Sequence, residues 1–493
     1  MTPHRLLLLG WVLLSVAWVF GNPPFAAPDE GPHYLRTLAV AQGDLITEQR
    51  PEQVRGGTLR QRAWIRQLNH SARVPAGKAP APYCNGHDSR ADAACLDDFS
   101  PPRVRTEYTT QVGNYQPLPY LLPAAAMRVA DSPSPALRWA RAANALLTLL
   151  LLYMAQRMAW SPDAGAISLL GLVVAVTPMA IFCGAILNGT GPEIAAAAAF
   201  GAGMLRLRRD PSCARSPRVW FVIGASGVVL ALSRSLGPAW IVLLALAALA
   251  LVGLRPALGF LRAGGRAAPA ALAAIGVAAG LNLLWEARHG PEEQTGFANL
   301  RAVLDQAVGE WWRASSELVG KFGYLEWRLP WWVYAGWFAA GFAVVAVALR
   351  AALRRERTTL AVTLAAALVL PMFLWVFAIR QTGFGLQGRH VFPALLAVPL
   401  VAGDLLRAHA TALGERLRRA LLLGVPLTAG LLHLVAWYLN ARRHAVGTDG
   451  SLLFPFDAAW SPPLGWLPWL ALATLGAAAI AATGYAAART RAA

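Results

Sequence analysis

Charge is scarce in this chain. Of its 493 residues only 14% are Asp, Glu, Lys or Arg, against about 25% in soluble globular proteins. With 56% hydrophobic residues and a mean hydropathy of +0.44, that deficit excludes an ordinary soluble enzyme and points to an integral membrane protein. Acidic residues are scarcer still, 26 against 44 basic ones, for a formal charge of +18. The surplus does not describe a nucleic-acid binder. Many arginines fall in short segments between apolar runs, where positive charge fixes membrane orientation, and not on one exposed basic face. Cysteines number only four. Cys84 and Cys95 share one polar segment, where a disulfide in an oxidising compartment and two free thiols in a loop both fit. Cys183 and Cys213 are isolated. There is no internal repeat, which removes one pointer to a secondary transporter. The interiors of the apolar runs are almost free of ionisable groups, His433 being the main exception, whereas pumps place acids or histidines near mid-membrane.

What is present is a long series of apolar runs. A helix needs about 20 mostly apolar residues to cross the hydrocarbon. Candidate spans are Leu6–Phe20, Trp139–Met158, Ala164–Cys183, Gly189–Leu205, Val219–Leu232 and Leu236–Leu254. Six more are Ala267–Trp285, Trp331–Leu349, Thr358–Ile379, Val391–Leu406, Ala420–Leu439 and Trp466–Ala488. The expected fold is therefore all-α and polytopic, with about 12 transmembrane helices. Arg5 followed by an apolar run and Ser15-Val16-Ala17 suggests a signal peptide, but the run continues through Trp18-Val19-Phe20 and reads better as an uncleaved first helix. Nineteen tryptophans suit the two membrane interfaces. If the N-terminus is cytoplasmic, the arginine groups at 206–218, 255–266, 350–357 and 407–419 all fall on the inner side, and the connections near Asn188 and Arg234 on the outer. Both termini are thus expected in the cytoplasm of a cell inner or plasma membrane protein.

Three outer segments are long: Gly21–Arg138, Glu286–Pro330 and Asn440–Gly465. In the first, Gln116–Val129 is apolar but short and rich in proline, which suggests a juxtamembrane helix. In the second, Leu300, Val303, Leu304, Ala307, Val308, Trp311 and Trp312 recur at helical spacing, with Arg301, Asp305, Gln306, Glu310 and Arg313 opposite. That pattern fits an interfacial helix, or one packed on another outer element.

Polar residues gather at the outer ends of the runs: Asp29, Glu30, His33, Asn188, Glu193, Arg234, Lys321, Glu326, Arg380, Arg389 and His390. The most specific stretch is Pro28-Asp29-Glu30-Gly31-Pro32-His33-Tyr34-Leu35-Arg36. Pro32 suits an early helical turn and Gly43 can end that helix. A helix from about Asp29 brings Asp29, His33 and Arg36 onto one face. An ionised carboxylate at a helix N-terminus can serve as a general base, bind a divalent cation, or simply cap a surface helix. Asn188 and Glu193 can satisfy a helix end, and Arg234 can anchor at headgroups. Arg389 follows Gly388 and suits a phosphate. Tyr108, Tyr115 and Gln116 can line a sugar site or be plain surface.

Six blocks in order resemble a bacterial membrane family known as domain of unknown function 2142, which is grouped with the GT-C glycosyltransferases. They are PDEGPHYLR (28–36), NYQPLPYLLP (114–123), LNGTGPEIAAA (187–197), SRSLGPAW (233–240), FGYLEWRLP (322–330) and QGRHVFPALL (387–396). Gly189-Thr190, Glu326 and His390 depart mildly from the family pattern. The resemblance implies a GT-C-like helical bundle that moves a sugar from a polyprenyl-phosphate donor to a cell-envelope glycan or lipid acceptor on the outer face. It implies Asp29 as base, with Glu30 orienting the acceptor, binding a cation or sharing the base role. It also implies cations for the departing phosphate, for which Arg389, Arg380, Arg234, Lys321 and His390 are candidates. His33, Arg36, Asn188 and Glu193 complete the expected substrate site. No cofactor beyond a possible divalent cation is called for. Two rivals stand beside this reading: a non-enzymatic translocase for envelope polysaccharide, and a scaffold that keeps the fold without catalysis.

Overall fold

The computed structural model describes residues 1–50, 52, 56–83, 85–86, 88–292 and 299–489. The first part of the chain forms α1 (Pro3–Gly21), α2 (Glu30–Ala41), α3 (Leu59–Leu68), α4 (Leu118–Met127), α5 (Pro133–Ala159), α6 (Leu170–Ala175), α7 (Pro178–Ala185), α8 (Thr190–Arg209) and α9 (Pro217–Ser233). The second forms α10 (Gly237–Val252), α11 (Leu254–Ala263), α12 (Ala267–His289), α13 (Leu300–Val319), α14 (Trp331–Ala351), α15 (Arg354–Thr382), α16 (Gly388–Ala408), α17 (Glu415–Val446) and α18 (Leu467–Arg489). Two short antiparallel ladders accompany them, β1 (His70–Val74) with β2 (Thr106–Thr110) and β3 (Lys321–Phe322) with β4 (Trp327–Arg328).

Among the described residues, eight helices are long and apolar enough to cross a membrane, and up to ten spans result if each of two bent pairs is counted as one. The eight are α1, α5, α12 and α14 to α18. The expected number, about 12, took every apolar run as a span. Of those runs, 189–205 lies in α8, which carries Glu193 and three arginines within its twenty residues, and 219–232 lies in α9, which has only 17 residues. The run expected over 164–183 is broken, because Thr177 caps α7 through Ala180 N–H (3.2 Å) and Pro178 opens it. A bend of 68° separates its halves.

The core runs through α7, α8 and α16, where Ala195 to Ala199 are buried and Leu396 to Val401 are buried apart from the partly covered Pro399. Small residues let the first and last helices meet closely: a Cβ on Gly10 of α1 would stand 2.8 Å from the Gly476 carbonyl of α18. At one end of the bundle, Arg208 and Arg209 of α8 reach Asp404 of α16, Arg208 also reaches Glu356 of α15, and His409 lies 2.6 Å from Glu356. The opposite end holds the first connection, folded rather than loose. Phe25, Tyr34, Leu38, Ala72 and Val74 form its own apolar core against Leu137 and Leu187. The juxtamembrane helix expected there is α4. Cys95 is disulfide-bonded, and Cys84, its expected partner, lies outside the described residues.

The amphipathic helix of the second long segment is α13, which packs on a candidate span and leaves a second apolar face uncovered. Val303, Ala307 and Ala314 pack on Trp375 and Ile379 of α15. Leu300, Leu304, Val308 and Trp312, four residues apart, stay exposed as an apolar stripe.

Candidate functional site

The site begins with a backbone feature. Asp29 precedes α2 with φ 58 and ψ 13, the left-handed region that costs an L-residue energy and that Asp tolerates better than most. This turn parts two neighbouring carboxylates. Glu30 goes inward, where Arg141 of α5 donates to Oε1 from Nε at 2.7 Å and to Oε2 from Nη2 at 2.5 Å. The Leu187 N–H adds a third bond at 3.1 Å. Neither side chain of this ion pair is exposed at all. The rest of the Arg141 guanidinium donates to the carbonyls of Val19 (3.1 Å), Asn22 (2.8 Å) and Pro23 (2.8 Å), tying α5 to the end of α1. In this arrangement Glu30 is enclosed, and its partners tie it to the packing of α5 and the Leu187 backbone.

Asp29 goes outward. Its Oδ2 accepts a hydrogen bond from Nη2 of Arg389, at the start of α16, and its side chain remains 38% exposed. Arg389 is held in turn by Gln387, whose Oε1 accepts from Nε at 2.6 Å. Burial pushes the Asp29 carboxyl upward, but the charge and hydrogen bond of Arg389, with Arg234 near, outweigh it and hold the group below its ordinary 3.8. His33 sits one turn along α2. Its Nδ1 and the Tyr120 hydroxyl share a hydrogen bond of 2.7 Å. Burial, with Arg389 and Arg234 near, pushes the imidazole down to about 3 against the pull of Asp29, so it is neutral at physiological pH.

Gln387 and His390, on either side of Arg389 in sequence, line a cavity of about 550 Å³, whereas Asp29, His33 and Arg389 are not part of its wall. The cavity's size is within the range of small-molecule sites. Its wall includes Trp64 of α3, Tyr115 and Gln116 of the first connection, Glu193 of α8, Arg234 and His390. Gln387, which holds Arg389, also faces it. The third face of α13, Gln306, Glu310 and Arg313, closes one side. Arg234 donates to the Thr190 hydroxyl at 3.0 Å and lies 5.9 Å above the Tyr115 ring centroid. Among the described residues no group of three or more His, Cys, Asp or Glu is placed to hold a metal ion.

A model of the family described as predicted membrane protein (DUF2142) matches residues 12–398, more than three quarters of the chain. The chain belongs to this family. No curated protein and no solved structure matches it. The DUF2142 match takes in every residue of the site, from Asp29 to His390, and ends within α16, so that α17 and α18 lie outside it.

Several expected residues stand apart from the cavity of this DUF2142 protein. Arg36 points away and ties loops together through the carbonyls of Leu45 (2.9 Å) and Tyr115 (2.6 Å). Asn188 caps α8, its Oδ1 accepting from Thr190 N–H (2.9 Å) and Gly191 N–H (3.1 Å). Lys321 lies in β3, 3.5 Å from Glu317, and its own burial lowers its ammonium pKa despite that carboxylate. Arg380 ends α15, where its carbonyl accepts from Arg60, and the cavity wall there runs through Ala378 and Thr382. Glu326 accepts from Tyr83 and Arg443, at 3.1 Å each. Conversely, Arg141, Tyr120 and Gln387 escaped notice as site residues. Arg141 had a signal: it is an arginine three residues into an apolar run, and such a charge needs a buried partner.

Proposed function

We propose that this protein is a GT-C-type glycosyltransferase that moves a sugar from a polyprenyl-phosphate donor to a glycan or lipid acceptor of the cell envelope. The observation that supports it is the pairing of Asp29 with Arg389, whose sequence neighbours Gln387 and His390 line a polar cavity together with Arg234. A partly open carboxylate kept ionised at neutral pH is the form a base requires. In this reading the acceptor hydroxyl gives its proton to Asp29 as its oxygen bonds to the anomeric carbon. The bond from that carbon to the lipid phosphate breaks, and Arg389 and Arg234 take up the negative charge that departs. Arg389 then serves both partners, holding Asp29 ionised before reaction and meeting the phosphate during it. Tyr115 and Trp64 offer ring faces to a sugar, and Glu193 and Gln116 offer polar groups to its hydroxyls. Glu30 and Arg141 position the turn that carries Asp29.

The same reading puts the cavity on the outer side of an inner or plasma membrane, with both termini in the cytoplasm. A translocase would need a polar path through the bundle. The apolar core between the cavity and the Arg208–Asp404–Glu356 cluster counts against one.

The test is transfer from a panel of polyprenyl-phosphate sugars by purified wild type and Asp29→Asn. Transfer by the wild type and its loss in the variant are expected. Equal transfer by both would remove Asp29 as base, and a folded wild type inert toward every donor and acceptor tried would return the translocase reading to the front.

A further inference from the structure

At the end of the bundle remote from the cavity, α10 and α12 are joined not by a loop but by α11, which turns 105° from the axis of α10. The turn is made at Gly253, whose φ of 91 is open to glycine and strained for other residues, and where an added Cβ would lie 3.1 Å from the Arg355 guanidinium. Arg355 fixes the corner by donating to the Ala250 carbonyl from Nε (3.2 Å) and Nη2 (3.0 Å). The other end is fixed at Gly264, packed against the Trp220 indole, which donates to the Ala214 carbonyl at 2.7 Å. A helix that leaves α10 at close to a right angle and leads into α12, a candidate span, has the course of one lying along a membrane surface.

The faces of α11 are sorted accordingly. Phe260 and Leu261 pack inward on the core. Leu254 and Leu258, one turn apart, are 64% and 43% exposed. Arg255 and Arg262, seven residues apart and so on one flank, are exposed, as is Arg266 at the start of α12. Arg215, Arg218, Arg354 and Arg357 at the same end of the bundle are exposed as well. The acids there are engaged: Asp210 lies 3.8 Å from Arg206, and Glu356 is taken by Arg208 and His409. An apolar edge next to an unopposed row of guanidinium groups matches the boundary between acyl chains and anionic headgroups.

We propose that α11 is a docking surface for anionic phospholipid, with Leu254 and Leu258 in the acyl region and Arg255 and Arg262 on the phosphates. The partner is the bilayer in which the protein sits. This inference is independent of any catalytic role.

Two measurements on the full chain test it. The first is native mass spectrometry of protein released from bilayers of mixed phosphatidylglycerol and phosphatidylethanolamine. Wild type should retain phosphatidylglycerol preferentially. Since each basic residue near an anionic surface contributes about a fivefold preference, Arg255→Gln/Arg262→Gln should lower that preference by up to about thirtyfold. Arg301→Gln, an exposed arginine on α13, should leave it unchanged. The second is the depth of a nitroxide at Leu258→Cys, in a Cys213→Ser background, in the same bilayers. Preferential collision with oxygen is expected. A nitroxide in water, or equal retention of the two lipids by wild type, would overturn the proposal, as would a double variant that keeps the wild-type preference.

Discussion

Asp29 accepts its hydrogen bond from Arg389 across 360 residues of chain, so the site exists only once the first connection and α16 have come together. Asn tolerates the left-handed backbone of position 29 at least as well as Asp but cannot act as a base. Asp29→Asn is therefore expected to keep its yield and thermal midpoint while transfer falls by about 10²- to 10⁴-fold. Rates from the donor panel, alongside thermal unfolding in detergent, check this. A variant that loses folding and rate together would mean that the ion pair is structural.

Glu30 and Arg141 should behave in the opposite way. Removing one partner leaves the other charged and buried, which costs about 3–5 kcal/mol. Glu30→Gln and Arg141→Met should each lower the unfolding temperature sharply or prevent accumulation in the membrane. A stable but inactive Glu30→Gln would restore Glu30 to the chemistry.

The pH profile separates Asp29 from its neighbours. Its folded pKa lies below 3.8, so the native ion pair is fully formed above that value and is lost as pH falls through the lowered one. The acid limb of kcat/KM assigned to Asp29 should accordingly lie below pH 3.8. In Arg389→Gln the burial that raises the pKa is no longer outweighed by that cation, and the limb should move upward. An acid limb that stays in place in this variant would show that another group sets it.

His33 makes a second pH prediction, this time about stability. Its value falls from 6.5 in the unfolded chain to about 3 in the folded one. The burial of neutral His33 thus stabilises the fold fully above pH 6.5, and this contribution is lost progressively as pH falls toward 3. Thermal unfolding against pH should slope downward over that interval and be flatter in His33→Gln. Equal slopes would show that His33 is exposed to water before unfolding.

Gly388 carries the start of α16 against α13. An added Cβ would stand 2.2 Å from the Ala314 carbonyl and 2.9 Å from the Glu317 Cβ, while the Gly388 N–H donates to Glu317 Oε2 at 2.6 Å. Gly388→Ala should cost about 1–3 kcal/mol as overpacking. It should also lower transfer well beyond that, because the displaced turn carries Arg389 and His390. A variant that loses stability but keeps its full rate would show that Arg389 is placed by other contacts.

Much of this was legible in the sequence. The apolar runs mark the membrane helices, and the segment from Pro28 to Gly43 marks α2, whose first turn carries the acid. Side-chain direction was not legible. Asp29 and Glu30 read as one pair until a single backbone angle sends them to different arginines. Arg36 and Asn188, polar and near the site in sequence, spend their hydrogen bonds on loop carbonyls and a helix end. Helix breaks were also hidden. Nothing in the hydropathy of 164–183 shows that Thr177 and Pro178 interrupt it. Likewise, the arginines of 255–266 read as a connection although nine of those residues, 255–263, form a helix.

The close contact of Gly10 with Gly476 bears on how the chain is made. α1 is synthesised long before α18 and must wait in the bilayer with its small-residue face toward lipid. Any transient partner of α1, whether an insertase or a lipid, must leave before α18 can dock. Final closure of the bundle is therefore a late event in biogenesis.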